Sequence, residues 1–388
     1  MNEFKQAYVI TLLAIVCLAA GFAGGYLVKS VQAASSQNWP ILEQAYQILL
    51  DHGLQEAPDT KALEYGMIKG MVQAYDDPYT IFTEPVQHEL ESNTLQGSFG
   101  GIGVRLGRDG EGHVVLYPLP DSPAQEAGVL ENDRLLEVMD LTITNSTTDE
   151  EVQAALRGPV GELVKITVAR APDYQPLVLS IKRAEIPLPS VTWHIDPDAS
   201  TLGVIEINVI AASTPDEIET AVKDLESRGA EAYILDLRDN YGGLLTAGVD
   251  TARLFLADGV VIDQQFRGEP VETFRVEKPG LFIDLPLAVL VNENTASAAE
   301  IIAGAIKANR RAKLVGRPTY GKNTIQLVFD LKDGSSLHVT AAQWWIPGMD
   351  AGSQDKGVEP DIEVNAQDQG SSPDLTAQAA ADLLLSSK

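Results

Sequence analysis

The chain has 388 residues, of which 45% are hydrophobic, enough for two or three domains with cores of their own. Its 55 acidic residues against 28 basic ones give a formal net charge of −27, spread along the chain, and such a surface repels phosphate backbones. Nucleic-acid binding is therefore excluded as an expectation, and the single cysteine, Cys17, leaves no disulfide and no thiolate metal cluster.

The first element is an uncharged, mostly apolar run, Tyr8–Val28, flanked by Lys5 and Lys29. It has about the 20 residues that one bilayer-spanning helix needs. It is read as a transmembrane signal-anchor after a cytoplasmic 1–7, with a signal peptide as the alternative, since Val31-Gln32-Ala33 resembles a cleavage site. Either way the bulk of the chain is expected outside the cytoplasm of a bacterial-type cell, in the periplasm or extracellular space. It would be held to the inner or plasma membrane, or released once the signal is cut. Cys17 reads as a buried apolar cysteine of this run, because Val16 stands where a lipidation site wants a small residue.

A polar linker, 29–39, leads to two amphipathic helices at Ile41–Leu50 and Thr60–Tyr75, the second closed by Asp77-Pro78. They open a small helical region over 40–96. Short β-like runs follow at Gly101–Leu106, His113–Leu116, Arg134–Met139 and Val164–Ala169, with one helix at Asp149–Leu156. They suggest a small β-barrel-like module.

From about Pro187 apolar strands alternate with longer helices. Strands are expected at Thr201–Ile207, Ala232–Leu237, Leu287–Val291 and Leu314–Val315. Helices are expected at Pro215–Ser227, Leu245–Leu256 and Ala298–Ala308. The alternation argues for an α/β core with largely parallel strands. Asp374–Leu385 reads as a final amphipathic helix in a tail, 366–388. The fold class is thus α/β plus α+β, in several domains.

Four places could carry chemistry. Ser297 follows the cap-forming Asn294-Thr295 and precedes the strong helix former AAEIIAGAI. It is expected in a helix's first turn, near unpaired N–H groups and a positive dipole end, with the Ala298 N–H as an oxyanion donor. Lys322 sits in the turn Tyr320-Gly321-Lys322-Asn323, with Val315, Ile325 and Val328 as apolar flanks. A free lysine titrates near ~10.4, so it can serve as a general base only if buried. The turn Asp239-Asn240-Tyr241-Gly242-Gly243 ends a strand, where the glycines permit close backbone approach to a ligand. Gly100, Gly101, Ile102 and Gly103 form a loop that can offer N–H groups to a terminal carboxylate, with the peptide added as a strand. Taken singly, Ser297 and Lys322 read more readily as an ordinary cap-region serine and turn lysine.

Together these segments resemble the carboxyl-terminal processing, or tail-specific, proteases, in order and over most of the chain after residue 28. The match carries DDPYT (76–80), GGIGV (100–104), DSPAQEAG (121–128) and LRGPVG (156–161). It continues through LDLRDNYGGLL (235–245), TASAAEIIAGAI (295–306), TYGKNTIQ (319–326) and GVEPDIEV (357–364). The resemblance implies a PDZ domain at 97–184 inserted before a crotonase/ClpP-like protease core at 185–365. It implies Ser297 as nucleophile, Lys322 as base and Gln326 as the residue positioning the lysine. Its oxyanion hole falls on Ala298 and on Gly242 or Gly243, with Gly243 preferred. Arg157 matches an arginine that in some members relays the PDZ position to the active site.

Protein and peptide substrates with exposed C-terminal tails are the expected partners. No cofactor or metal is implied, and homo-oligomerisation stays open. Asn323, Asn132 and Leu141 stand where the family usually has glycine, Asn323 being expected to tolerate a left-handed backbone. No histidine lies in a triad motif, no G-x-S-x-G elbow occurs, and no HExxH zinc pattern is found. The remaining alternative is a membrane-tethered PDZ scaffold that binds C-termini without cutting them.

Overall fold

A computed structural model describes residues 39–346, 348, 357–364 and 374–386. The expected anchor or signal peptide at 8–28 with Cys17, and the tail before residue 374, lie outside the described residues. Among the described residues no helix is long and apolar enough to cross a membrane.

The chain divides after Gly70 into two units. The first holds α1 (Pro40–His52) and most of α2 (Thr60–Tyr75), in which no side chain is buried.

In the second unit, β1 (Ile81–Thr83) and α3 (Pro85–Gln96) lead into the β-rich module. Its elements are β2 (Ser98–Gly101), β3 (Val104–Arg108), β4 (Val114–Pro118), α4 (Pro123–Glu126), β5 (Asp133–Val138), β6 (Leu141–Thr142), α5 (Asp149–Leu156), β7 (Leu163–Arg170), β8 (Gln175–Lys182) and β9 (Ala184–Pro187). One sheet runs β3-β4-β5-β7-β8, and β2 pairs separately with β9. The single strand expected at Gly101–Leu106 is broken, because Gly103 takes a φ of 71° that ends β2 and starts β3 in a new direction. Strand β3 is left as an edge. Beside it α5 starts at a Thr148–Glu151 capping box and buries Val152 and Leu156 against Ile102, Leu116 and Ile166.

The core continues with β10 (Val191–Ile195), β11 (Leu202–Ile207), α6 (Thr214–Ser227), β12 (Ala232–Asp236), α7 (Leu245–Phe255), β13 (Val260–Phe266), β14 (Glu272–Arg275), β15 (Leu287–Val291), α8 (Ala298–Ala308), β16 (Lys313–Gly316), β17 (Thr324–Asp330), β18 (Ser336–Trp345), β19 (Ile362–Glu363) and α9 (Leu375–Leu385). The sheet order is β10-β11-β12-β15-β16-β19, parallel from β11 onward. Because side chains alternate along a strand, Tyr233, Leu235, Val289 and Val291 meet α6, α7 and α8 on one face. Ala232, Ile234, Ala288 and Leu290 meet α9 on the other.

A second, antiparallel sheet runs β1-β18-β13-β14, with β17 also paired to β18. Helix α8 is clamped between the two sheets. Ala299, Ile302 and Ile306 face the parallel one, while Ile301 and Ala305 face Trp344 and Ile346. That explains a helix apolar on all sides, and it fixes the position of the residue at its mouth, Ser297.

Ile302 is fully buried at this junction. Ile302→Ala should lower the stability of the core by about 2–5 kcal/mol, read from its urea unfolding transition. A loss under about 1 kcal/mol would contradict the clamped placement.

Candidate active site

The site is assembled where β12 and β15, neighbours in the parallel sheet, reach their carboxyl ends. The loops that follow are stapled together. Asn292 Nδ2 and Asn294 Nδ2 donate to Asp239 Oδ1 at 2.9 and 2.8 Å, and Thr295 Oγ1 donates to the Leu237 carbonyl at 2.8 Å. These amide donors hold the Asp239 carboxyl below its usual range. Asn294 and Thr295, expected as helix caps, are instead the fasteners of this loop.

The cap position belongs to Ser297 itself, whose φ of 54° and ψ of −121° cannot be helical. It therefore stands just outside the first turn where it was expected. Such a left-handed, non-glycine backbone costs of order 1–3 kcal/mol and persists only where the surroundings impose it. Here they do. The Ala296 N–H donates to the Asn240 carbonyl at 2.9 Å, and Gly242 packs so closely that a β-carbon there would lie 2.8 Å from Ser297 Cβ.

Two backbone donors beside Ser297 have no acceptor among the described residues: the N–H groups of Ala298 and Gly243. The Gly242 N–H is used, donating to Asn240 Oδ1 at 2.8 Å. Gly243 is bound on its neighbours' groups instead, with the Ile210 N–H donating to Gly242 O and the Leu244 N–H to Ile210 O.

Lys322 comes from the turn before β17. Its Nζ donates to Gln326 Oε1 at 2.7 Å and lies 4.7 Å from the centre of the Tyr79 ring. Gln326 is held in turn, donating to Thr324 Oγ1 at 3.2 Å. Burial pushes the Lys322 amine below the usual lysine range, while Asp77 and Glu300 pull it back up. Asn323 does not take the left-handed backbone expected of it. Gly321 does, at φ 91°, and the Asn323 carbonyl accepts the Trp344 N–H at 2.9 Å. Asn132 does adopt a left-handed φ, 67°, whereas at the next turn the positive φ falls on Met139 and not on Leu141.

A residue that the sequence reading did not single out joins the two halves. Glu300, 1% exposed, accepts from the Ser297 N–H (2.9 Å), Thr319 Oγ1 (2.5 Å), the Gly321 N–H (2.7 Å) and the Lys322 N–H (2.9 Å). Burial raises its pKa, and the four donors oppose that rise. The S-x-x-E spacing of a capping box, in an otherwise apolar helix, was the available signal. No hydrogen bond links Ser297 Oγ to Lys322 Nζ, and the segments are joined through Glu300 and by the Tyr320 N–H donating to the Thr295 carbonyl at 3.0 Å.

Gly101, Ile102 and Gly103 lie in the other module, on a groove of 370 Å³ between β3 and α5, while Gly100, one residue earlier in β2, does not line it. Arg157 lines the same groove. Its guanidinium sits 4.5 Å over the Phe99 ring, and no hydrogen bond or ion pair joins it to Ser297 or Lys322. Asp109, Glu111 and His113 bring possible metal-ligand atoms together on the β3–β4 turn, but Arg134 already occupies both carboxylates at 2.7 and 2.8 Å.

The model of peptidase family S41 matches residues 201–364, and a PDZ domain model matches 114–170. The carboxy-terminal processing protease CtpA of Bacillus subtilis is 32% identical over 374 residues, 93% of this chain and 77% of that one. The chain belongs to the carboxyl-terminal processing proteases. The carboxyl-terminal-processing protease of Synechocystis sp. is 35% identical over 315 residues, 80% of this chain and 72% of the relative. Among solved structures, a photosystem II D1 C-terminal processing protease is 30% identical, with a TM-score of 0.45 over 85% of this chain and 87% of that one. The protease is thus a serine peptidase that recognises substrate C-terminal tails through its PDZ domain.

In this protease Glu300→Gln would leave one acceptor and an amide donor facing N–H groups, at about 1–3 kcal/mol for each unmet group. Cleavage of a tailed substrate should fall at least about tenfold, and thermal unfolding should come earlier. Wild-type rates in Glu300→Gln would show that the carboxylate is not needed to hold the site.

Proposed function

We propose that Ser297 and Lys322 are the nucleophile and general base of this protease, Gln326 positioning the lysine. The observation that carries the reading is the partly buried Lys322 amine, held below its ordinary pKa and fixed on Gln326 Oε1. A neutral amine that donates to Gln326 keeps its lone pair for the serine proton.

Lys322 Nζ takes that proton as Ser297 Oγ attacks the scissile carbonyl carbon, after a local approach of the two side chains. The unpaired N–H groups of Ala298 and Gly243 hold the oxyanion. Gly242 is the weaker candidate, because its N–H is engaged by Asn240. The lysine then returns its proton to the leaving amine. The same base activates water to release the acyl-enzyme.

The Gly100–Gly103 loop binds the tail's carboxylate, and Arg157 relays the position of the PDZ domain to the core. Residues 97–184 form that domain, after a helical region at 40–96, and 185–365 form a core of the crotonase/ClpP-like kind. The helix stack on a largely parallel sheet supports this reading. In this reading the apolar run at 8–28 serves as a membrane anchor or signal peptide, with the catalytic region outside the cytoplasm. Homo-oligomers are compatible with this arrangement.

Ser297→Ala should lower cleavage by roughly a thousandfold or more while the tail still binds. Lys322→Arg should be similarly inactive, because a guanidinium cannot supply a free base near neutral pH. Mass spectrometry of a tailed substrate incubated with each variant reads both. Undiminished cleavage by either one removes that residue from its role.

A further inference from the structure

The segment 76–80, between α2 and β1, brings a tyrosine ring to the candidate base. We infer that Tyr79 is a positioning residue of the reaction: the face of its ring and Gln326 together fix the direction of the Lys322 amine. The inference rests on the reading of Lys322 as the general base.

A lysine ends in a compact amine on a flexible four-carbon stem, so a single hydrogen bond leaves it free to turn. The bond from Lys322 Nζ to Gln326 Oε1 is one constraint. The second is the Tyr79 ring, whose centre lies 4.7 Å from Nζ. That is within the roughly 6 Å over which a ring face attracts a cation. A neutral amine has two N–H groups and one lone pair. With one N–H on Gln326 and the other on the ring face, the lone pair is held in one direction. The ammonium formed when that lone pair takes the serine proton keeps the same two contacts.

The ring is fixed by the strands that carry Gln326. Gln326 on β17 stands opposite Thr340 on β18. The Thr340 N–H donates to Thr80 Oγ1 at 3.2 Å, and Thr80 Oγ1 donates to Asp77 Oδ2 at 2.5 Å. Asp77 Oδ1 accepts from the Tyr79 N–H at 3.2 Å, which closes the turn that carries the ring. Strand β1 continues the attachment, with Ile81 opposite His338 on β18. The two groups that hold the amine are thus built on one sheet.

The charges round the amine leave the ring a readable effect. Burial lowers the Lys322 pKa, while Asp77 and Glu300 raise it. His338 on β18, with His88 and Glu91 of α3 beside it, also feels the lysine's charge. Burial first, and His88 and Lys322 with it, hold its imidazole below the ordinary histidine range, so it is neutral where the lysine titrates. The Tyr320 hydroxyl pushes the Tyr79 phenol above its usual value, so the ring is uncharged there too. A neutral ring face favours the ammonium over the amine. Replacing the ring with an apolar side chain keeps the burial and removes that support.

The test compares full-length Tyr79→Leu and Tyr79→Phe proteins with the wild type in two readings. One is the NMR titration of Lys322, labelled with ¹³C at Cε, in a Ser297→Ala background. The other is the pH dependence of kcat and KM on a tailed peptide. Tyr79→Leu should move the Lys322 titration, and the rise of cleavage with it, about half to one pH unit toward acid. Its plateau kcat should fall about tenfold with KM unchanged. Tyr79→Phe keeps the ring face and should restore both. Tyr79→Met, unbranched and apolar, carries the same expectations as Tyr79→Leu if the latter does not fold. Apolar and Phe variants that titrate alike, or an apolar variant with the wild-type kcat, overturn the inference. A Lys322 resonance that moves as stated while the cleavage profile stays in place would instead overturn the reading of Lys322 as the base.

Discussion

The buried carboxylate of Glu300 is the interaction on which the candidate active site depends. It gathers four donors, one from the serine's loop and three from the segment carrying the lysine. Those segments lie far apart in sequence, and no hydrogen bond between Ser297 Oγ and Lys322 Nζ holds them together. A buried carboxylate is costly unless its oxygens are fully satisfied, and here the donors come from the backbone segments that must be placed. The same contacts that settle Glu300 therefore position Ser297 and Lys322.

The surroundings of Glu300 explain how the arrangement is tolerated. Helix α8 is pressed between two sheets, so its first turn cannot shift to relieve the left-handed backbone at Ser297. Gly242 allows the neighbouring loop to come within contact of that serine, and Asn240 fixes both loops by accepting from Ala296 and Gly242. Among the described residues, the N–H groups of Ala298 and Gly243 beside the serine are left without an acceptor.

Much of the core was legible because strands buried on both faces write themselves as continuous apolar runs. Leu287–Val291 and Ala298–Ala308 were read to the residue. The antiparallel sheet was not, because β17 leaves Leu327, Val328 and Phe329 exposed and so lacks a clean alternation. The break at Gly103 was hidden inside a run that looked like one strand.

At the site, the helix mouth at Ser297 followed from flanking residues, whereas the apolar flanks of Lys322 only permitted its burial, and one of them, Val328, is exposed. The backbone at Ser297 did not, since tertiary contacts impose it. Glu300 passed unnoticed because a glutamate in a helix is ordinary until its burial is known. The turn at Lys322 was read with Asn323 as its left-handed residue, whereas Gly321, one residue before the lysine, takes that conformation.

The pKa of Lys322 is the quantity to measure, by NMR of protein carrying lysine labelled with ¹³C at Cε, assigned by comparison with Lys322→Arg. Burial disfavours the ammonium form, so the resonance should titrate below the ~10.4 of an ordinary lysine. Cleavage should then rise with pH through that same lowered value, as the neutral amine forms. A Lys322 that titrates at or above the ordinary value, with cleavage already at its plateau well below it, would contradict a neutral lysine as the base.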